Sequence, residues 1–171
     1  MMQNIPVYLF TGFLDSGKTK LIRETLIQQG FAKGSATLLI LCEDGEEEYN
    51  KIQMEKNDIS IVEVEKEELF NHQKIKEWIE EYTPDQIFIE YNGMWEVGPL
   101  FEGKLPKYCE IVQTLTCIDS STFETYLLNM RPMIMEQIFS SDVIIFNRFN
   151  QQMSKQKFRL AIKGQNKKAQ I

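Results

Sequence analysis

The residues with the most specific chemistry stand in one segment near the start of the chain. This segment, GFLDSGKT from Gly12 to Thr19, matches the pattern G-x-x-x-x-G-K-[S/T]. Gly12 and Gly17 permit backbone conformations in which successive N–H groups point inward at a phosphate. Lys18 would place its ammonium against the β- and γ-phosphates, and Thr19 would offer its hydroxyl to Mg²⁺. The segment therefore predicts a site for the phosphates of a Mg-nucleoside triphosphate.

Two variable positions complete this phosphate loop, and its flanking sequence supports the assignment. Asp15 and Ser16 are counted with the phosphate-binding residues because they belong to the same run of backbone N–H groups. An apolar stretch, Val7–Phe10, predicts a strand before the loop, and Lys18–Gln29 predicts a helix after it. The helix would add the positive end of its dipole to the anion site. The ordinary alternative is a tight strand–helix turn with an unrelated Lys-Thr pair.

A second candidate element follows a predicted buried strand, Gln86–Glu90. Glu90 at the carboxyl end of this strand would lie beside the phosphate loop, where its carboxylate could hold a Mg²⁺-bound water. Gly93 follows in the sequence E-Y-N-G and could turn its N–H toward the γ-phosphate. A surface glutamate and a turn glycine would give the same ExxG pattern. Its place after both the loop and a strand favours the functional interpretation.

Acidic residues also follow two other predicted strands. Glu43 and Asp44 either contact Mg²⁺ or orient the attacking water, or they form a turn and helix cap before the acidic run EEE; the two interpretations carry equal weight. Asp44 joins Thr19 and Glu90 as a candidate metal ligand. Asp119 either holds the base-binding loop or the phosphate-loop backbone, or it caps the following helix.

Short apolar runs alternate with longer segments that favour helices. The predicted strands are Val7–Phe10, Thr37–Cys42, Ile59–Val64, Gln86–Glu90, Ile111–Ile118 and Val143–Phe146. The predicted helices are Lys18–Gln29, Glu46–Lys56, Gln73–Tyr82, Thr122–Leu128 and Ser154–Lys168. Several strands are continuous in Val, Ile, Leu and Phe, as expected for strands covered on both faces. The alternation predicts one α/β domain over residues 1–171, with a mostly parallel sheet and right-handed crossovers.

Composition limits the classes of partner. The net charge of −6 over 171 residues argues against general nucleic-acid binding, which depends on Lys and Arg to neutralise phosphates. No Asp or Glu follows Asp142, whereas seven Lys and Arg residues do. This basic segment is either a solvated helix face or a docking face for a partner.

Cysteine usage and hydropathy favour a cytoplasmic protein that binds no membrane. The three cysteines lack CxxC spacing, which suits buried thiols in a reducing compartment better than a disulfide framework. The start, MMQNIPVYLF, lacks the basic n-region of a signal peptide. No apolar run approaches the ~20 residues of a membrane span.

In order and spacing, these elements resemble the CobW/HypB/UreG group of P-loop GTPases, which includes metal-insertion chaperones. The segments that carry the resemblance are IPVYLFTGFLDSGKTKLI at Ile5–Ile22, IFIEYNG at Ile87–Gly93, CIDS at Cys117–Ser120 and DVIIFNRFN at Asp142–Asn150. They are similar to the family's GFLGAGKTTL loop, its ExxG switch element, its VVDA strand end and its NKxD base-recognition motif. Together they span essentially the whole chain.

The resemblance implies a three-layer P-loop NTPase fold, an α/β sheet with helices on both faces. It also implies Mg-GTP binding and slow GTP hydrolysis coupled to a partner or to delivery of a metal or cofactor. Asn147, Arg148 and Asn150 correspond to the base-recognition motif and would contact the base. Family members continue into a smaller C-terminal domain, so the chain looks like the nucleotide-binding portion of a longer protein.

The chain departs from the family pattern in three places. Asp15 and Ser16 replace small residues of the loop, and a carboxylate near phosphates costs binding energy unless it is turned away or paired. The CxCC metal motif of many CobW-like members is missing, because Cys42 opens CEDGEEEY with no second cysteine nearby. Asn150 replaces an Asp that accepts two hydrogen bonds from guanine, a change worth roughly 1–3 kcal/mol of base discrimination. Arg148 can still stack its guanidinium on a purine.

Three functions remain in competition. The favoured one is a GTPase in which Lys18 neutralises charge, Thr19 and Glu90 place Mg²⁺, and water attacks the γ-phosphate. No Gln or His follows Gly93 to position that water, so we expect slow turnover that a homodimer or an unidentified client protein accelerates. The alternatives are ATP-binding proteins: a small-molecule kinase, which usually needs clustered lid arginines that this chain lacks, or a non-catalytic nucleotide sensor.

Overall fold

The computed structural model describes residues 4–45 and 47–171, and its centre is a six-stranded parallel sheet. The strands are β1 (Ile5–Thr11), β2 (Thr37–Leu41), β3 (Ile59–Glu63), β4 (Gln86–Glu90), β5 (Cys109–Asp119) and β6 (Val143–Asn147). Their order across the sheet is β3-β2-β4-β1-β5-β6. All six predicted strands are present, and every neighbouring pair is parallel.

The helices connect these strands and lie against the two faces of the sheet. They are α1 (Lys18–Arg23), α2 (Lys51–Lys56), α3 (His72–Tyr82), α4 (Phe123–Asn129), α5 (Arg131–Ser140) and α6 (Lys155–Lys163). A wider, π-helical turn, Glu24–Gln28, continues α1, and Gly30 follows it with φ +69°, the left-handed conformation expected of a residue that ends a helix. No helix in the described ranges is long and apolar enough to cross a membrane.

The sequence misplaced two helix boundaries and missed one helix. Helix α2 begins after Asn50, whose side chain accepts a hydrogen bond from the Gln53 N–H at 3.1 Å, so the predicted start at Glu46 was too early; Glu46 itself lies outside the described residues. Helix α6 ends at Lys163 rather than Lys168, because the Asn166 side chain donates to carbonyl groups at the end of α5. Helix α5 was missed entirely.

Both faces of the sheet are buried, as the continuous apolar strands predicted. Alternate residues of β1, β2 and β4 pack against α3 on one face: Val7, Leu9, Leu38, Ile40, Ile87 and Ile89 against Ile75 and Ile79. The intervening residues pack with α1 and α2 on the other: Phe10, Leu39 and Phe88 with Ile22, Leu26 and Met54. A third cluster joins β5 and β6 to the last three helices: Ile118, Phe123, Ile134, Ile138, Ile144, Phe158 and Ile162. The fold is a three-layer α/β sandwich.

The register of the sheet brings the predicted site residues to one edge. Phe10 of β1 pairs with Glu90 of β4, and the same Glu90 pairs with Leu41 of β2. On the other side, Asp119 of β5 pairs with Asn147 of β6. Because all strands run in one direction, their carboxyl ends and the loops that follow them form a single surface.

Candidate functional site

Two glycines of the loop after β1 adopt conformations that disfavour other residues. Gly12 has φ +134° and Gly17 has φ +104°. A Cβ on Gly12 would overlap the carbonyl oxygen of Cys117 on β5 and lie 2.7 Å from Ser16 Oγ. A Cβ on Gly17 would overlap the side-chain amide of Asn147. The glycines thus let the loop approach the ends of both neighbouring strands.

Lys18 lies folded into the loop and is only 2% exposed. Its Nζ donates hydrogen bonds to the carbonyl oxygens of Gly12 at 2.7 Å and Phe13 at 2.9 Å. The same ammonium forms an ion pair with Glu43 Oε2 at 2.6 Å. All three acceptors surround one cation, which is therefore fully engaged in this state.

Glu43 connects the loop after β2 to two separate parts of the site. Its Oε2 pairs with Lys18, and its Oε1 accepts a hydrogen bond from the Gly93 N–H at 3.2 Å. Asp44 is exposed, and neither residue caps α2, whose cap is Asn50. The cap interpretation of Glu43 and Asp44 was therefore wrong.

Glu90 lies buried at the end of β4, with one partner on each carboxylate oxygen. Thr19 donates its hydroxyl to Oε1 at 2.6 Å, and Tyr49 donates its hydroxyl to Oε2 at 2.6 Å. Burial raises the pKa of Glu90, against the hydrogen bonds from Thr19 and Tyr49, which lower it. Sequence analysis overlooked Tyr49 because a single tyrosine in an acidic loop carries no recognisable motif.

Gly93 packs directly onto the phosphate loop. A Cβ there would overlap the Gly12 carbonyl oxygen and stand 2.7 Å from Phe13 Cα. The Gly93 carbonyl accepts a hydrogen bond from Gln137 Nε2 at 3.0 Å. Asn92, one residue earlier, donates its side-chain amide to the Cys42 carbonyl at 3.1 Å. The ExxG element is thus held between the loops after β1 and β2.

The loop after β6 contacts the phosphate loop from the other side. Asn147 donates its side-chain amide to the Ser16 carbonyl at 3.2 Å and accepts from the Arg148 N–H at 2.8 Å. The Arg148 guanidinium binds the Asp15 carbonyl at 2.8 Å and the Asp119 carboxylate. These contacts tie β5, β6 and the phosphate loop together.

The remaining predicted base contact, Asn150, lies apart from this cluster. It is exposed, and its Oδ1 accepts a hydrogen bond from the Gln152 N–H at 2.9 Å. The structure therefore brings together the other predicted phosphate and base residues but shows no bond from Asn150 to them.

Asp119 holds the loop after β6, as one of its two interpretations predicted. Its Oδ2 binds Arg148, while its Oδ1 accepts from the Ser121 N–H at 2.8 Å. Burial raises the pKa of Asp119, but the hydrogen bonds from Ser121 and Arg148 outweigh it, and the net pKa is lowered. Thr122, and not Asp119, stands at the N-cap position of α4, where it makes no side-chain capping bond, so the N-cap interpretation of Asp119 was wrong.

Two of the open spaces along this edge of the sheet differ in character. A cleft of about 410 Å³ extends outward from Thr19 and Glu90. Its charged lining is mostly acidic: Glu43, Asp44, Glu47, Glu48, Glu63, Glu65 and Glu90. A space of about 90 Å³ lies along Gly17, Lys18 and Arg148. The smaller space lies over the phosphate loop, and its lining includes the cationic side chains of Lys18, Lys20 and Arg148, whereas the larger cleft has Lys51 alone.

Comparison with known protein families identifies the family of this chain. The family model of the CobW/HypB/UreG nucleotide-binding domain matches residues 6–171 of this chain. The chain belongs to the CobW/HypB/UreG family. Among solved structures, hydrogenase maturation factor HypB from Archaeoglobus fulgidus has a similar fold, with a TM-score of 0.63 and 16% identity over 98% of this chain and 79% of that one. No curated protein matches significantly.

CobW/HypB/UreG proteins are GTP-binding proteins linked to metal delivery. The family's cysteine motif is missing from this chain, and the part of the chain that the structure describes shows no thiolate site in its place. Cys42 and Cys117 are buried and free, and burial raises the pKa of Cys117 to about 12. Within residues 4–45 and 47–171, no group of three or more His, Cys, Asp or Glu side chains could hold a metal ion.

Asp15, which departs from the family's small loop residues, is turned outward. It is exposed, with φ +58°, a left-handed conformation that Asp adopts more readily than most residues. Ser16 is 2% exposed, and its Oγ has no hydrogen-bond partner within residues 4–45 and 47–171. Among the residues that the structure describes, the carboxylate of Asp15 has no partner, and it stays next to the phosphate loop as a negative charge.

Replacing Asp15 by Asn should tighten Mg-GTP binding about two- to fivefold at low ionic strength, because it removes this charge while keeping a side chain that tolerates the left-handed backbone. Titration calorimetry at two salt concentrations would measure the effect, which should shrink at high salt. Asp15→Gly serves as the comparison, since it also removes the Cβ. An Asn variant that binds more weakly than the native protein would show that the carboxylate contributes to binding.

Proposed function

We propose that this chain is a GTP-binding protein that hydrolyses GTP slowly in the presence of Mg²⁺. The observation that supports this most is the convergence of Lys18, Thr19, Glu90 and Gly93 at the carboxyl ends of β1 and β4. These groups come from two segments about 70 residues apart, and each has the chemistry that its proposed part requires.

The phosphates would lie in the loop between Gly12 and Thr19, along the space lined by Gly17 and Lys18. The N–H groups at the start of α1 and its dipole favour an anion there. Lys18 would exchange its present carbonyl partners for phosphate oxygens, and its charge would neutralise the charge that develops during transfer.

The pair of Thr19 and Glu90 fits a magnesium ion chemically. Both supply hard oxygen donors, and their oxygens already lie 2.6 Å apart. When bound, Mg²⁺ would neutralise part of the charge of the phosphates. We assign the Thr19 hydroxyl as a direct ligand and Glu90 as the group that holds a metal-bound water. Asp44 is exposed at the rim of the acidic cleft, so it could influence a bound magnesium ion only from outside the pair of Thr19 and Glu90.

We assign base recognition to the loop after β6, with Asn147 and Arg148 close to the phosphate loop and Asn150 beyond them. Arg148 is held by Asp119, which positions its planar guanidinium rather than leaving it mobile. Because Asn150 replaces the family's Asp, we expect discrimination between guanine and adenine to be modest.

A supporting partner would complete the catalytic site. The residues after Gly93 are Met94, which is 59% exposed, and Trp95, which packs against the core. Neither side chain has an oxygen atom that could accept a hydrogen bond from the attacking water and so orient it. Hydrolysis by the isolated chain should therefore be slow. A homodimer or a client protein would supply the missing group. Coupling to metal or cofactor delivery, in the cytoplasm, is the role that we propose for this hydrolysis.

Parallel titrations with Mg-GTP and Mg-ATP test the nucleotide, and phosphate release tests the reaction. We expect GTP to bind up to about tenfold more tightly than ATP. Turnover should be far below the ~10 s⁻¹ of a typical metabolic enzyme. Equal or stronger ATP binding would remove the GTPase assignment in favour of the ATP-binding alternatives, and transfer of phosphate to a metabolite would identify a kinase.

A further inference from the structure

Glu43 occupies a special position relative to the proposed phosphate contacts. Its two carboxylate oxygens bind separate groups: Oε2 binds the Lys18 ammonium at 2.6 Å, and Oε1 binds the Gly93 N–H at 3.2 Å. These are the two groups that the sequence motifs predict to contact the γ-phosphate. One carboxylate therefore satisfies a cation and a backbone donor that an incoming phosphate would need.

The carboxylate is also well sequestered. The Glu43 side chain is 8% exposed and the Lys18 side chain 2%. A buried anion of this kind is stable only with a cation and hydrogen-bond donors around it, and Glu43 has both. Since Gly93 packs against Gly12 and Phe13, the donor is fixed close to the phosphate loop rather than on a free loop.

We propose that Glu43 is an internal substitute for the γ-phosphate, which occupies that subsite until a nucleoside triphosphate displaces it. Two anions cannot share the same ammonium and N–H at these distances without strong repulsion. Binding of a triphosphate must therefore move the Glu43 carboxylate and the loop that carries it. The inference rests on the proposed function, because it assumes that Lys18 and Gly93 receive the γ-phosphate.

This arrangement makes Glu43 a determinant of triphosphate specificity. A diphosphate can use the phosphate loop without taking the Gly93 N–H, so it competes with Glu43 only partly, at Lys18. A triphosphate must displace Glu43 from both partners. The native residue therefore weakens triphosphate binding more than diphosphate binding, and its removal should change the two affinities unequally.

Displacement of the Glu43 carboxylate would also affect other contacts of the loop after β2. The same loop carries Tyr49, whose hydroxyl binds Glu90 at 2.6 Å, and Glu47, which pairs with Arg23 of α1 at 3.3 Å. Movement of Glu43 thus reaches the proposed magnesium residue and the surface of α1. A loop that moves only when the third phosphate is present can report the nucleotide state to a partner.

The test measures Mg-GTP and Mg-GDP affinities by titration calorimetry for the native chain, Glu43→Gln and Glu43→Ala. We expect GTP affinity to rise about tenfold in the variants, the usual worth of a charge-assisted hydrogen bond, and GDP affinity to rise less than threefold. Glu48→Gln is the matched control, since it removes the same charge from an exposed position of the same loop. Its GTP-to-GDP affinity ratio should stay within twofold of native.

Each other outcome has a definite meaning. A fall in GTP affinity in both Glu43 variants would overturn the inference, because Glu43 would then support the triphosphate-bound state. Equal gains for GTP and GDP would also overturn it and indicate a general charge effect. If Glu43→Ala bound GTP and the other proteins in the test did not, that result would support the inference strongly. If neither the native chain nor any variant that remains folded by circular dichroism binds a nucleotide, the proposed function fails as well.

Discussion

Replacement of Lys18 by alanine is expected to weaken Mg-GTP binding about 100-fold or more and also to destabilise the nucleotide-free protein by about 3 kcal/mol. The first effect follows from the loss of the only cation buried in the phosphate loop among the described residues. The second is less obvious for a residue whose role is binding. It follows because Glu43, 8% exposed, would keep a buried charge without its counter-ion.

Urea unfolding followed by circular dichroism measures the stability change, and calorimetry measures binding. Lys20→Ala is the control: Lys20 lies two residues away on α1, is 59% exposed and reaches Glu24 only at 4.0 Å. Its removal should cost less than about 0.5 kcal/mol. The double variant Lys18→Ala/Glu43→Gln should recover much of the lost stability without recovering nucleotide binding. An equally small cost for Lys18→Ala and Lys20→Ala would mean that the Lys18–Glu43 pair contributes nothing to stability.

The strands and the phosphate loop were predictable because their signals are local and strong. Val7–Phe10 is continuous in apolar residues and runs directly into a loop whose glycines and lysine have few alternative explanations. In the structure, Gly12 and Gly17 have positive φ and touch neighbouring strand ends, which is the reason that larger residues do not fit there.

Helix α5 could not be found by periodicity, since its sequence does not separate an apolar face from a polar one. The run RPMIMEQIFS has its apolar residues in two blocks, Met-Ile-Met and Ile-Phe, and has a proline near its start. Its helical form is decided by packing: Ile134 and Ile138 are buried in the cluster with β6, and Gln137 reaches the Gly93 carbonyl. Gly93 lies 44 residues earlier in the sequence, so no local pattern could indicate that contact.

The pairings within the site were the part that sequence could least specify. Glu43 carried two equal interpretations because an acidic turn before EEE is explained well by helix capping. Only the register of β2 beside β4 shows that the loop after β2 faces the phosphate loop. Only the side-chain geometry shows that Glu43 on this loop binds Lys18 and Gly93. Asp119 was ambiguous for the same reason until its bond to Arg148 was seen.

Replacement of Gly93 by alanine is the second substitution with a large expected effect. The added Cβ would meet the Gly12 carbonyl oxygen and stand 2.7 Å from Phe13 Cα, both of which are backbone atoms that cannot rotate away. We therefore expect a loss of about 3 kcal/mol in the free energy of unfolding, at the upper end of the usual cost of overpacking. The displaced N–H should also weaken Mg-GTP binding at least about tenfold, with a smaller effect on Mg-GDP.

Gly98→Ala provides the matched control for the added methyl group. Gly98 lies five residues later, and its Cβ would meet only the flexible Glu136 carboxylate at 3.6 Å, an ordinary contact. That variant should unfold within about 0.5 kcal/mol of the native chain and bind both nucleotides normally. The difference between the two variants isolates the close approach of the ExxG element to the phosphate loop. If Gly93→Ala lost stability but kept the GTP-to-GDP affinity ratio of Gly98→Ala, Gly93 could not be the residue that senses the γ-phosphate, since its displaced N–H would have left that contact intact.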